Sequence, residues 1–89
     1  MQRSVVVALT EGLHARPAAK FVAAAAGQPA PVTIAKGNGT PVSAASILGI
    51  MTLGVARGDE VVLATSGDDD DAVRSLDALE QLLLQEDVA

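Results

Sequence analysis

The stretch Gly12-Leu13-His14-Ala15-Arg16-Pro17-Ala18-Ala19 marks a change from strand to helix and contains the only histidine of the chain. The run before it, residues 3–9, is short and rich in valine, which is typical of a buried strand. After it, apolar side chains recur at helical spacing over residues 15–26. Pro17 falls in the first turn of that helix, where its missing N–H costs no hydrogen bond. The sequence therefore places His14 where the first strand gives way to the first helix.

Short strands and two further helices account for the rest of the chain. In order, we assign a strand at residues 32–36, a Gly37-Asn38-Gly39 turn with a return strand at 40–43, a helix that Ser46 caps, a strand at 60–65 and a helix that opens at 68–71. The resulting order, β-α-β-β-α-β-α, predicts an α+β fold in which a four-stranded antiparallel sheet carries its helices on one face. The 89 residues allow one small domain, residues 1–89.

Composition argues against several kinds of partner and site. Six basic and eleven acidic side chains give a net charge of −5, and Trp and Tyr are absent, so nucleic acid is a poor candidate partner. Without cysteine the chain has neither a disulfide nor a thiolate metal site, and we expect no metal and no cofactor. The aspartates at 68–71 lack the ligand spacing of a calcium loop. The apolar runs are too short for a signal peptide or a membrane span, so we expect a cytoplasmic protein without direct membrane insertion.

His14 and Arg16 form the candidate reactive site. A helix N-terminus has unpaired backbone N–H groups and the positive end of the helix dipole, and a guanidinium two residues further on adds a fixed positive charge. This combination favours a bound anion. A neutral imidazole in this position is a nucleophile. His14 and Arg16 therefore combine a nucleophile with a binding site for a transferred phosphoryl group.

The second helix leaves two questions open. Ser46 suits an N-cap, and a serine in that position can also be a kinase substrate. Ile47, Leu48 and Met51 cannot all face one core from a short helix. They belong either to ordinary packing or to an exposed apolar patch.

Two motifs of the chain resemble those of the HPr family, the histidine phosphocarriers of the bacterial phosphotransferase system. The first is Gly12-Leu13-His14-Ala15-Arg16-Pro17-Ala18, which is similar to the family's active-site motif. The second is Ser46-Ile47-Leu48-Gly49-Ile50-Met51-Thr52-Leu53-Gly54, which is similar to the motif around the family's regulatory serine. The order of elements agrees as well, so the resemblance covers nearly the whole chain.

The resemblance implies an HPr-like open-faced sandwich and a definite chemistry. Enzyme I, phosphorylated from phosphoenolpyruvate, passes a phosphoryl group to Nδ1 of His14, and Arg16 stabilises it. The carrier then passes the group to the IIA domain of a sugar permease, so it is not a turnover enzyme on its own. Ser46 matches the serine that an HPr kinase/phosphorylase modifies in some members. The residues that match the family's docking surface are Ala15, Pro17, Lys20, Ile47, Leu48 and Met51.

The resemblance also leaves alternatives. Paralogues of HPr serve nitrogen-type or dihydroxyacetone phosphorelays with the same histidine, and a binding module regulated through Ser46 docks to transcription factors instead. We expect a monomer, because a carrier must leave its active face free for donor and acceptor in turn. Many members carry lysines on the first helix where this chain has Ala23, Ala24 and Ala26 beside Lys20. We therefore expect association with enzyme I to depend more on apolar contact than on charge.

Overall fold

One antiparallel sheet and three helices make up the fold of residues 1–88, the part of the chain that the computed structural model describes. In chain order the elements are β1 (Gln2–Val6), α1 (Ala15–Ala26), β2 (Thr33–Lys36), β3 (Val42–Ser43), α2 (Ile47–Leu53), β4 (Glu60–Ala64) and α3 (Asp70–Leu83). The strands lie in the order β1-β4-β2-β3, and every neighbouring pair is antiparallel. The predicted α+β open-faced sandwich is confirmed. The predicted domain end at Ala89 lies outside the described residues.

All four strands are shorter than the sequence predicts, β2 and β4 by one residue and β1 and β3 by two. β1 ends at Val6, and although the Val7 N–H still donates to the Asp59 carbonyl (2.9 Å), the Ala8 N–H turns to the Leu83 carbonyl (2.9 Å) at the end of α3. β3 is reduced to two residues because Pro41, which precedes it, has no N–H to contribute to the ladder. The bounds of α1 agree with the prediction, since Pro17 and Gly27 are local signals for its start and end.

The core lies between one face of the sheet and the three helices. Along the strands, Val5, Ile34 and Leu63 are buried on the helix side, whereas Ser4 and Thr33 are exposed on the other side. The helices supply further fully buried side chains, namely Phe21 from α1, Ile50 from α2, and Leu76, Leu79 and Leu83 from α3. Burial of each such side chain contributes about 1.5–3 kcal/mol. All three helices therefore pack on the same face of the sheet and leave the opposite face open.

The acidic run before α3 caps that helix. The Asp69 carboxylate accepts a hydrogen bond from the Ala72 N–H (2.9 Å), and Asp70 and Asp71 lie in the first turn, where negative charge is favourable. The helix thus begins at Asp70 rather than at residue 68. Neither this helix, with its 14 residues, nor any other within residues 1–88 is long and apolar enough to cross a bilayer.

Lys36, at the end of β2, holds the loop between α2 and β4 (residues 54–59, the α2–β4 loop). Its ammonium donates to the Gly54 carbonyl (3.0 Å) and lies 3.2 Å from Asp59 Oδ2. The same carboxylate oxygen accepts the Ala56 N–H (2.8 Å). The Ala56 N–H and, after it, Lys36 keep the pKa of Asp59 below its ordinary value of 3.8. One lysine therefore joins the first and the last residue of the loop.

The segment that precedes α1 rests on the α2–β4 loop. The Leu13 N–H donates to the Val55 carbonyl (3.0 Å). Gly12 has a φ of 67°, and a Cβ at that position would lie 2.4 Å from the Val55 oxygen and 2.9 Å from the Ala56 Cα. Only glycine fits both the left-handed conformation and this close approach. The contact sets where the chain enters α1, and with it the position of His14.

Gly12→Ala should destabilise the protein by at least about 2 kcal/mol, because it adds a collision with backbone atoms to a left-handed conformation. Urea unfolding measures the loss. Gly37→Ala is the matched control, since its φ of 56° is similar but a Cβ there would meet no atom of residues 1–88 within 4 Å. We expect the control to lose about 1 kcal/mol. Equal losses in the two variants would contradict the steric argument.

Asp59→Asn should remove a pH-dependent part of the stability. A carboxylate whose folded pKa is lowered stabilises the fold above its ordinary pKa, and this contribution is lost as the pH falls through the lowered value. The wild type should therefore have the higher urea midpoint at about pH 6. The difference between the two proteins should shrink as the pH falls below 3.8. A difference that stays constant down to about pH 2 would show that the charge of Asp59 is not its cause.

Candidate functional site

His14 occupies the N-cap position of α1, and its side chain is exposed. Its backbone is extended (φ −128°, ψ 163°), and its imidazole makes no capping hydrogen bond to the helix. The ring nitrogens are thus not used to close the helix end. An exposed imidazole in this position can act as a nucleophile toward a group that another protein presents.

The start of α1 supplies hydrogen-bond donors next to His14. The first amide of the helix that bonds back is that of Ala18, which donates to the His14 carbonyl (3.3 Å). Of the residues between them, Pro17 has no N–H, so Ala15 and Arg16 provide the amide donors at this end. The Arg16 side chain is exposed. Two backbone N–H groups, the helix dipole and one guanidinium therefore make this end of α1 suitable for an anion.

Ala15 adopts a conformation that the sequence did not indicate. Its φ is 50°, in the left-handed region, which costs an L-amino acid about 1–2 kcal/mol. Its neighbours Leu13, Pro17 and Ala18 are buried, and their packing holds this backbone in place. Alanine has no preference for such a φ, so no sequence signal could have revealed the strain beside His14.

A surface cleft of about 460 Å³ borders the same end of α1 and brings acidic side chains close to Arg16. Glu11, Glu86 and Asp87 line it together with Arg16. The segment after α3 reaches this place because the Thr10 N–H donates to the Glu86 carbonyl (2.9 Å). Sequence reasoning missed Glu86 and Asp87, since only this tertiary contact brings them to the site. Their negative charges oppose the anion-binding effect of Arg16.

The α2 patch, which we define as Ile47, Leu48 and Met51, is exposed. The exposed fractions of these residues are 44%, 77% and 50%, whereas Ile50 of the same helix is fully buried. The question that the sequence left open is thus answered in favour of an apolar surface patch. α1 packs against α2, and on α1 Ala15 and Lys20 are also exposed. Pro17 is buried in the first turn of α1 and lines the cleft beside Arg16, and its docking role stays a prediction.

Ser46 is the N-cap of α2. Its Oγ accepts a hydrogen bond from the Gly49 N–H (3.1 Å), and its side chain is half-buried. The predicted capping role is confirmed. The serine lies next in sequence to Ile47, so any group added to its hydroxyl is close to the α2 patch.

Basic and acidic side chains are concentrated in different parts of the chain, and α1 and α2 lie in the basic part. Residues 12–58, which include α1 and α2, contain four basic side chains and no acidic one. Ten of the eleven acidic side chains belong to residues 59–87. The helices that carry His14, Arg16 and the α2 patch are therefore the least negative part of a protein whose net charge is −5.

Comparison with known proteins gives one matching family and several similar chains. The family described as the PTS HPr component phosphorylation site matches residues 1–85. The phosphocarrier protein HPr of Streptomyces coelicolor is 48% identical over 84 residues, which cover 94% of this chain and 88% of that protein. The crystal structure of HPr from Bacillus anthracis has a TM-score of 0.85 at 41% identity, with 93% of this chain and 95% of that chain covered.

A third similarity is to the catabolite repression protein Crh of Bacillus subtilis, whose crystal structure is described as a swapped-domain dimer. Its TM-score is 0.71 at 38% identity, with 100% of this chain and 99% of that chain covered. Both motifs quoted above lie within residues 1–85, and the matches extend over almost the whole chain. The chain therefore belongs to the HPr family of phosphocarriers of the phosphotransferase system.

Proposed function

We propose that this chain accepts a phosphoryl group from enzyme I on Nδ1 of His14 and passes it to the IIA domains of sugar permeases. The observation that carries the proposal is the place of His14, whose exposed imidazole stands at the leading end of α1 with the exposed Arg16 two residues further on. An exposed nucleophile suits a group that arrives on one protein and leaves on another. The proposed setting is the cytoplasm, where the carrier serves sugar uptake.

For the transfer step, the carrier has to supply a nucleophile, the His14 imidazole, in the correct position, and little else. The lone pair of the neutral imidazole nitrogen attacks phosphorus, the N–P bond forms, and the bond to the donor side chain of enzyme I breaks, so its electron pair stays on the donor. The phosphoryl group brings negative charge to the helix N-terminus. The Ala15 and Arg16 amides and the Arg16 guanidinium stabilise that charge. Transfer to a IIA domain is the same step with the carrier as donor.

The acidic side chains beside the site favour the second transfer, from the carrier to a IIA domain. A carrier that holds its phosphoryl group too firmly cannot pass it on, because binding energy in the ground state raises the barrier to release. Glu11, Glu86 and Asp87 line the cleft next to Arg16 and repel a phosphoryl group. The balance between one guanidinium and three carboxylates keeps the stabilisation moderate.

Docking of both partners is proposed to use the α2 patch and the exposed residues Ala15 and Lys20 of α1. A few well-packed, desolvated residues at the centre of an interface contribute most of its binding energy, while charges at the rim mainly raise the rate of encounter. Because the two partners use the same face in turn, we propose that the working form is a monomer, although relatives include a swapped-domain dimer.

A second candidate is a binding module controlled through Ser46, and the similarity to Crh favours it. A phosphate on the N-cap of α2 would lie at the positive end of the helix and beside the α2 patch, where it changes the docking surface without unfolding the helix. In that case an HPr kinase/phosphorylase modifies Ser46, and the product binds a transcription factor. A complex that forms only with phosphorylated Ser46, and forms equally well with His14→Ala, would favour this candidate.

Incubation with phosphoenolpyruvate and enzyme I should label the wild type with one acid-labile phosphate, and His14→Ala should take none. Arg16→Ala should fold but accept the phosphoryl group at least about tenfold more slowly, because it loses a charge-assisted contact. Phosphorus NMR identifies the phosphohistidine. Arg74→Ala, at an exposed position on α3, is the control and should behave as wild type. Labelling of His14→Ala would refute the assignment of the acceptor.

Leu48→Ser should raise the KM of enzyme I for the carrier about tenfold with little change in kcat, since it removes the most exposed side chain of the α2 patch. Leu84→Ser is the matched control, because Leu84 is 48% exposed but lies at the end of α3. Steady-state transfer assays at increasing salt provide a further check. A steep loss of rate with salt, together with an unchanged KM for Leu48→Ser, would contradict apolar docking.

A further inference from the structure

The α2–β4 loop is held at two points by a single pair of side chains. Lys36 reaches from the end of β2 to the Gly54 carbonyl and to Asp59, and Asp59 accepts the Ala56 N–H. The carbonyl that precedes Val55 is therefore held by the Lys36 side chain, and the N–H that follows Val55 is held by the Asp59 side chain. The ammonium also lies at the C-terminal end of α2, where positive charge is favourable.

The residue between these two fixed points is the one that supports the active-site segment. The Val55 carbonyl accepts the Leu13 N–H (3.0 Å), and Gly12 packs against Val55 and Ala56. Leu13 directly precedes His14, which caps α1. A continuous series of contacts thus runs from Lys36 through the α2–β4 loop to the backbone of the proposed phosphoryl acceptor.

The loop needs this restraint because its own sequence favours movement. Gly54 and Gly58 both have positive φ values, 63° and 89°, and glycines lose more conformational entropy on ordering than other residues. Without outside contacts, a loop that contains two such residues samples many conformations. Movement of the Val55 carbonyl would leave the Leu13 N–H without its partner.

We propose that Lys36 and Asp59 are positioning residues for phosphoryl transfer, which act through the Val55 carbonyl on the segment that places His14. The effect on phosphoryl transfer, the catalytic part, rests on the proposed function. The restraint of the segment before His14, the structural part, does not depend on it. Lys36 and Asp59 touch neither His14 nor Arg16, so they are not catalytic residues. Their side chains are 44% and 30% exposed, so the ion pair itself supplies only part of the stability that Asp59 gives the fold, and its effect should be concentrated at the loop it holds.

Amide hydrogen exchange of Leu13, followed by NMR, tests the structural part. Lys36→Met should exchange this amide at least about threefold faster than wild type, while the slowest core amides change much less. Lys36→Arg should restore the wild-type rate, because a guanidinium can donate to both Gly54 and Asp59. Arg74→Met removes a more exposed ion pair, with Asp71, and should leave the Leu13 amide unchanged. An unchanged Leu13 rate in Lys36→Met would overturn the proposal.

Phosphoryl transfer from enzyme I tests the catalytic part. Lys36→Met and Asp59→Asn should lower kcat about threefold or more, with KM little changed, because the α2 patch is untouched. Lys36→Arg should recover the wild-type kcat. Faster Leu13 exchange with an unchanged kcat would overturn the positioning role. If the wild type itself takes no phosphate, the proposed function fails, and the exchange experiment still decides whether Lys36 restrains the segment before His14.

Discussion

The backbone hydrogen bond between Leu13 and Val55 joins two loops that lie far apart in the chain, and the site depends on it. One loop leads into α1 and carries His14, and the other leads out of α2, which carries the apolar patch. The bond forms because Gly12 lets the first loop approach backbone atoms that no other residue could approach. It therefore fixes the proposed nucleophile and the proposed docking surface relative to each other, although they belong to different helices.

Much of the fold could be predicted because its signals are local. α1 has a proline in its first turn and a glycine at its end, and its predicted bounds agree with the structure. The errors arise where tertiary contacts decide, as at β1, which stops when the chain bonds to the end of α3. The close approach of Gly12 to Val55 could not be predicted either, since it requires the fold to be known.

The candidate site likewise contains features that local sequence signals predict and features that depend on tertiary contacts. The positions of His14 and Arg16 at the start of α1 and the cap made by Ser46 could be predicted, because each follows from one helix end and the few residues around it. The exposure of the α2 patch could not, since the sequence of a seven-residue helix does not state which side meets the core. The left-handed backbone of Ala15 has no signal in its side chain, and Glu86 reaches the site only through its bond to the segment before α1.

Pro17 reduces the number of backbone hydrogen-bond donors that the protein can offer to a phosphate. A phosphoryl group has three strongly accepting oxygens, and each can take more than one hydrogen bond. α1 presents two amides ahead of Ala18, because its third residue is an imino acid. Some of the acceptor capacity is therefore left to water or to an approaching protein. In the proposed transfer, a recipient with donors of its own would bind the phosphate while it is still attached to His14.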